Sequence, residues 1–116
     1  MIIRKLDEVA RTTVDMEGVK GITKQLVLGS ADGVPNFSIR IFTLEPGGHS
    51  PHHTHEVEHL NFILSGEGCL MDEEGKANPL VQGDFAFVAP HDLHQFRNTS
   101  DTEDFVFMCA VPKEYE

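Results

Sequence analysis

The sequence predicts an all-β domain, a barrel or sandwich of short strands, on three observations. Short apolar runs recur about every 8 to 12 residues, each stopped by Gly, Pro or an acidic turn. No long stretch repeats its apolar residues at the helical period of about 3.6. The chain has 116 residues, 40% of them apolar and 24% charged, which suits one globular domain with a core of its own.

Taken in order, residues 1–30 are the hardest to place. Residues 6–14 (LDEVARTTV) form the only helix-like segment, and it is short. Residues 22–28 (ITKQLVL) read as a strand, although a barrel of residues 35–111 is complete without it. Such an extra strand has a sheet edge to cover, and a neighbouring copy offers one. Residues 37–44 (FSIRIFTL) alternate and are expected to stop at Pro46-Gly47-Gly48. Residues 60–64 end at Ser65-Gly66, and residues 69–71 run into Asp72-Glu73-Glu74-Gly75, a hairpin turn. Residues 80–81 precede Gln82-Gly83-Asp84, residues 85–89 end at Pro90, and residues 105–111 end at Pro112. The ending PKEYE reads as a short polar tail, and there is no internal repeat, low-complexity tract or linker.

The net charge is −10, unevenly spread. Residues 1–24 hold five bases and four acids, a sum of +1, whereas the remainder holds four bases and fifteen acids, a sum of −11. Such a surface repels phosphate backbones and anionic lipid, so nucleic acid and membranes are poor partners. Cys69 and Cys109 lie in separate apolar runs with no Cys-x-x-Cys pair, and read as buried free thiols. The start MIIRKLDEVA lacks a signal-peptide core, and no apolar run reaches membrane-spanning length; a cytoplasmic location is expected.

All seven histidines fall between His49 and His94. His53, His55 and His59 stand at i, i+2 and i+6, and even intervals share one face of an extended strand. With His94 arriving from a distant strand, the four form a candidate metal site, neutral imidazole being the commonest metal ligand. His49, His52 and His91 read as local, solvated residues.

The surrounding frame is specific. Gly47, five residues, His53-x-His55, three residues, His59, six residues and Gly66 resemble the first cupin motif. Gly83, six residues, Pro90, three residues, His94, three residues and Asn98 resemble the second. The resemblance covers about residues 35–112 and implies a single-domain double-stranded β-helix, a jelly-roll barrel with the metal inside. Two positions depart from the family pattern. His59 stands where the family's usual glutamate does, with Glu56 and Glu58 at odd offsets; Asp92 replaces a usual glycine, in a motif one residue shorter. The four-histidine set resembles that of small bacterial cupins that bind manganese or another divalent metal.

An all-imidazole site leaves a divalent ion its charge of about two, which favours an anionic substrate. Iron, nickel, copper and zinc suit such ligands as well as manganese or better. Strand parity adds pocket candidates: Phe105, Phe107 and Cys109 share one face of the last strand, and Phe85 and Phe87 share a face that reads as barrel core. Arg40, within an apolar strand, either pairs with a carboxylate such as Glu45 or orients an anionic substrate. The expected function is a metal-dependent, dioxygenase-like oxidoreductase acting on a small organic molecule. The alternatives are a redox-neutral isomerase or lyase and a non-catalytic module for a small ligand or metal. A homodimer using residues 1–30 is expected, because Ile2, Ile3, Leu6, Ile22, Leu26 and Leu28 have no evident place in the barrel.

Overall fold

A computed structural model describes residues 1–116 and shows nine strands in one curled antiparallel sheet. They are β1 (Thr12–Thr13), β2 (Lys20–Leu28), β3 (Phe37–His49), β4 (His59–Ser65), β5 (Glu67–Met71), β6 (Ala77–Val81), β7 (Phe85–Val88), β8 (Gln95–Asn98) and β9 (Phe105–Pro112). Three single 3-10 turns complete the elements, and none of the chain is α-helical. No helix is long and apolar enough to cross a membrane.

The strand order is β6-β5-β8-β3-β9-β4-β7, with β2 added to β3 and β1 to β2. Each strand sends alternate side chains inward, so the register stacks the interior in rows. Ile22, Leu44 and Phe105 form one row; Lys24, Phe42, Phe107 and Ile63 form the next. Arg40, Cys109 and Asn61 form a third, polar row, and Ser38 and Val111 follow, with His59 at the start of β4 beside them. The apolar rows, with Leu80, Val88 and Phe96 from the other strands, make the core.

The segment 6–14 is not a helix. Its first part is one 3-10 turn, Leu6–Glu8, and Thr12 and Thr13 are β1. The segment is too short to offset the cost of helix nucleation, and its β-branched threonines favour extension. The buried Gln25 amide instead captures the Leu6 and Val9 carbonyls, both at 2.9 Å. β2 covers the edge of β3 in its own chain, from Lys20 opposite His49 to Leu28 opposite Ile39, and so does not wait for a neighbouring copy.

β3 does not stop at Pro46-Gly47-Gly48; it bulges there and continues to His49. Gly47 has φ +77°, which glycine adopts without strain. A Cβ on Gly48 would lie 2.8 Å from the Glu45 carbonyl and 2.9 Å from that of Gly21, so only glycine allows β2 to stay paired across the bulge. Phe85 and Phe87 are not core: they are 79% and 65% exposed, while Ala86 and Val88 point inward. Every residue of FAFV is apolar, so its sequence does not reveal which face is buried. β8 has no clear sequence signal; its QFRN carries one inward Phe and one inward Asn. The hairpin turn at Asp72 is present, its carboxylate accepting from the Glu74 and Lys76 amides at 3.0 and 2.9 Å. Both cysteines are free and buried.

Two truncations test the face assignment. Phe105→Ala removes a ring with no exposed surface and is expected to cost about 3–5 kcal/mol in urea unfolding. Phe87→Ala is expected to stay within about 0.5 kcal/mol. Comparable losses from the two would mean that the inward and outward faces are misassigned.

Candidate metal centre

His53 and His55 do not share a strand. Both lie in the irregular segment between β3 and β4, and only His59 belongs to β4. Main-chain bonds to the segment before β8 hold the loop in place. The Ser50 amide donates to Phe96 O (2.9 Å), and His53 and His94 exchange N–H···O bonds of 3.0 and 3.1 Å in an isolated bridge. The His91 amide donates to His55 O at 2.7 Å. His91 reaches it through a left-handed turn at φ +68°, and the Asp92 carboxylate accepts from the Ala89 amide at 3.1 Å. The same-face outcome read from the spacing is therefore reached by a zipped loop rather than by a strand pleat.

The ligand nitrogens of His53, His55 and His94 lie within 4.8 Å of one another. Three nitrogens about 2.1 Å from one ion are at most about 4.2 Å apart, so small ring rotations close the gap. The His59 ring stacks on His55, with centroids 4.0 Å apart and planes at 19°, and stands outside this trio. Backbone acceptors orient two of the rings: His94 Nδ1 donates to Asp92 O (2.9 Å) and His59 Nδ1 to Val57 O (3.2 Å). That tautomer leaves each Nε2 lone pair free. His55 Nδ1 is buried with no partner.

Burial, reinforced by the neighbouring imidazoles, pushes His55 down to about 3. Burial and then the Arg40 charge push His59 down to about 4. His53 and His94 are lowered too, by burial first. Three neutral imidazoles whose nitrogens lie this close, with a fourth stacked beside them, suit a divalent transition ion, so the residues fit one.

The histidines line a cavity of about 420 Å³. Of the other residues singled out in the sequence, Arg40, Phe107 and Cys109 line it, whereas Phe105 lies wholly in the core. Arg40 does not pair with Glu45. Its Nη2 donates to Cys109 Sγ at 3.2 Å and its guanidinium sits 4.9 Å from the Phe42 ring centre. The one carboxylate–guanidinium pair of the chain is Arg4–Asp32, at 2.9 Å. No carboxylate lines the cavity; Glu56 and Glu58 lie outside it.

Three of the lining residues that sequence reasoning missed bear on the chemistry. Asn61 follows His59 by two and shares its face, a parity signal that was there to use. Lys24 sits on β2, which the sequence left outside the barrel. Tyr115 belongs to the supposed polar tail, yet its ring stands edge-on to His55 and His59 at 5.8 and 6.0 Å. The Glu116 carboxylate fastens that turn by accepting from Ser38 Oγ and the Ser30 amide. No local pattern announces such a long-range latch.

A family model described as "Cupin domain" matches residues 40–111. An oxalate-binding protein of Thermotoga maritima is 31% identical over 96% of this chain and 93% of its own. An L-ectoine synthase of Nocardia farcinica is 33% identical over 82% and 72% of the two chains. Among solved structures, a polyketide cyclase of Streptomyces resistomycificus superposes with TM-score 0.90 at 25% identity, covering 97% of this chain and 79% of that one.

The lowered histidines set the acid stability of the metal-free protein. Below about pH 6.5 the unfolded chain binds protons that the folded site refuses, so stability falls as pH drops from there towards about 3. The melting temperature of chelator-treated protein is expected to fall over that window, and less steeply in His55→Gln. Identical profiles for the two proteins would refute the buried neutral cluster.

Proposed function

The chain belongs to the cupin family, and we propose that it is a metal-dependent enzyme: His53, His55 and His94, completed by His59, hold one divalent ion beside a small organic molecule in the cavity. The observation that carries this reading is the closeness of the His53, His55 and His94 ring nitrogens, within 4.8 Å of one another, at a cavity that no carboxylate lines. When bound, the ion supplies Lewis-acid polarisation, undiminished by any protein anion.

The chain's own residues favour redox-neutral chemistry. Arg40 and Lys24 add positive potential to the cavity, which favours negative charge developing on the substrate. Phe42, Phe96 and Phe107 give it an apolar wall. Tyr115, edge-on over His55 and His59, is the group placed to hold or pass a proton. The names of two relatives, a synthase and a cyclase, support a reaction other than oxidation. The dioxygenase-like reading expected from the sequence stands second. What favours it is that an ion held only by imidazoles would have room for further ligands beside the apolar walls. Manganese is the expected metal, and the affinity order lets copper, nickel or zinc displace it in a purified sample.

Metal analysis decides the ligand set. Wild type is expected to hold about one divalent ion per chain. His94→Ala should lose most of it, while His91→Ala, altered at an exposed side chain, should keep it. Equal content in the two variants would rule out the assignment. Added metal should also raise the melting temperature of wild type but not of His94→Ala, since an ion that binds only the folded state stabilises it.

We further infer that two copies pair, in a reducing compartment that keeps Cys69 and Cys109 as thiols. The exposed Ile2, Ile3 and Leu6 of the N-terminal segment support the pairing. Light scattering at micromolar concentration should give twice the chain mass; a monomer mass would count against the pairing.

A further inference from the structure

Three buried side-chain atoms in the molecule have no hydrogen-bond partner: Arg40 Nε, His55 Nδ1 and Asn61 Oδ1. All three residues line the same cavity. A buried polar atom that nothing meets destabilises the fold, so their concentration in one place points to a ligand. His55 is accounted for by the ion. Arg40 and Asn61 are not.

Their chemistry is complementary and fixed. Arg40, 8% exposed, offers a charged N–H and faces no protein anion. Its only hydrogen-bond partner is the Cys109 thiol, which burial keeps protonated by raising its pKa. Asn61, 3% exposed, donates through Nδ2 to Ala86 O (3.2 Å) and His59 O (3.4 Å). Flipping the amide would set its oxygen against two carbonyl oxygens, so Oδ1 is the free end and needs a donor. The register puts Arg40 and Asn61 on either side of Cys109, one strand each way. Their backbones are then about 10 Å apart, and the bond from Arg40 Nη2 to Cys109 Sγ brings the guanidinium to the strand next to Asn61.

We propose that the Arg40–Cys109–Asn61 row is the seat of a small hydroxycarboxylate, whose carboxylate accepts from Arg40 Nε and whose hydroxyl donates to Asn61 Oδ1. The carboxylate matches an unpaired guanidinium. The donor is a neutral hydroxyl rather than an ammonium because the Arg40 guanidinium, with no protein anion beside it, charges this row positively. The apolar walls at Phe42 and Phe107, one row away, take the remaining carbon skeleton. This names the substrate class of the proposed enzyme. It rests on the metal reading for the ligand's place beside the ion, not for its binding to the row.

The test is calorimetric titration of the purified protein, its metal content measured in parallel, with three probes: lactate, propionate, which lacks the hydroxyl, and lactamide, which lacks the charge. Wild type is expected to bind lactate at least tenfold tighter than either of the others. Arg40→Met should weaken lactate by tenfold or more, leave lactamide within about twofold, and retain wild-type metal content. Asn61→Leu should abolish the preference for lactate over propionate. Arg40→Met replaces an unpaired buried cation with an apolar chain and is expected to fold. If it does not, Arg40→Lys keeps the charge without the planar Nε–H and should still weaken lactate severalfold. Lactate affinity unchanged by the Arg40 substitutions, or no lactate binding by wild type at millimolar concentration, overturns the proposal. A wild type that binds lactate through Arg40 but holds no metal would instead sink the metal reading and leave this one standing.

Discussion

The site depends on a backbone zipper between two segments that are remote in sequence. His49 opposite Arg97, Ser50 bonded to Phe96, and His53 bridged to His94 tie the end of β3 to the start of β8. Without those bonds, His94 has no reason to stand beside His53. The zipper in turn requires β3 to run past Pro46-Gly47-Gly48, which the bulge at Gly47 and the close approach at Gly48 allow. Ser50 reinforces it, its hydroxyl accepting from the Phe96 amide at 2.9 Å, and the Gln95 amide donates to Ser50 O at 2.9 Å. Asn98, the last residue of the second motif, extends the tie by donating to Leu44 O (3.0 Å) and Glu103 O (2.8 Å). The motif residues flanking the histidines thus act on the backbone, and the imidazoles are carried into place.

The interior is layered by chemistry as well as by strand. Two apolar rows, from Ile22 to Phe105 and from Phe42 to Ile63, hold the sheet curled. The next row inverts that character, with Arg40, Cys109 and Asn61 at positions equally enclosed. A fold selected for stability alone would fill that row with aliphatic side chains. Retaining an unpaired guanidinium and an unpaired amide oxygen there sacrifices stability at a site of binding, the usual place for such local inconsistency.

Most of the architecture was legible from the sequence because its strands alternate between turn residues. FSIRIFTL and FVFMCAV became β3 and β9, and Asp72 to Gly75 became the β5–β6 turn. What was not legible has identifiable causes. FAFV is apolar on both faces, so its burial is decided by the pairing of His59 with Val88. Residues 6–14 carry a faint helical pattern that Gln25 overrides through a long-range contact. At the site, the histidines were visible as a set, but the distinction between the converging trio and the stacked His59 is tertiary. Tyr115 and Lys24 were invisible because their places depend on the Glu116 latch and on β2 joining β3.

The central claim is that these imidazoles gather on one ion, and the most direct measurement of it is X-ray absorption at the metal edge of the loaded protein. Imidazole rings give a distinctive outer-shell multiple-scattering pattern whose intensity counts them. Three or four imidazoles, with the remaining scatterers light oxygen atoms, is the expected result. A spectrum with at most one imidazole, or one dominated by carboxylate oxygen or sulfur, would contradict the account.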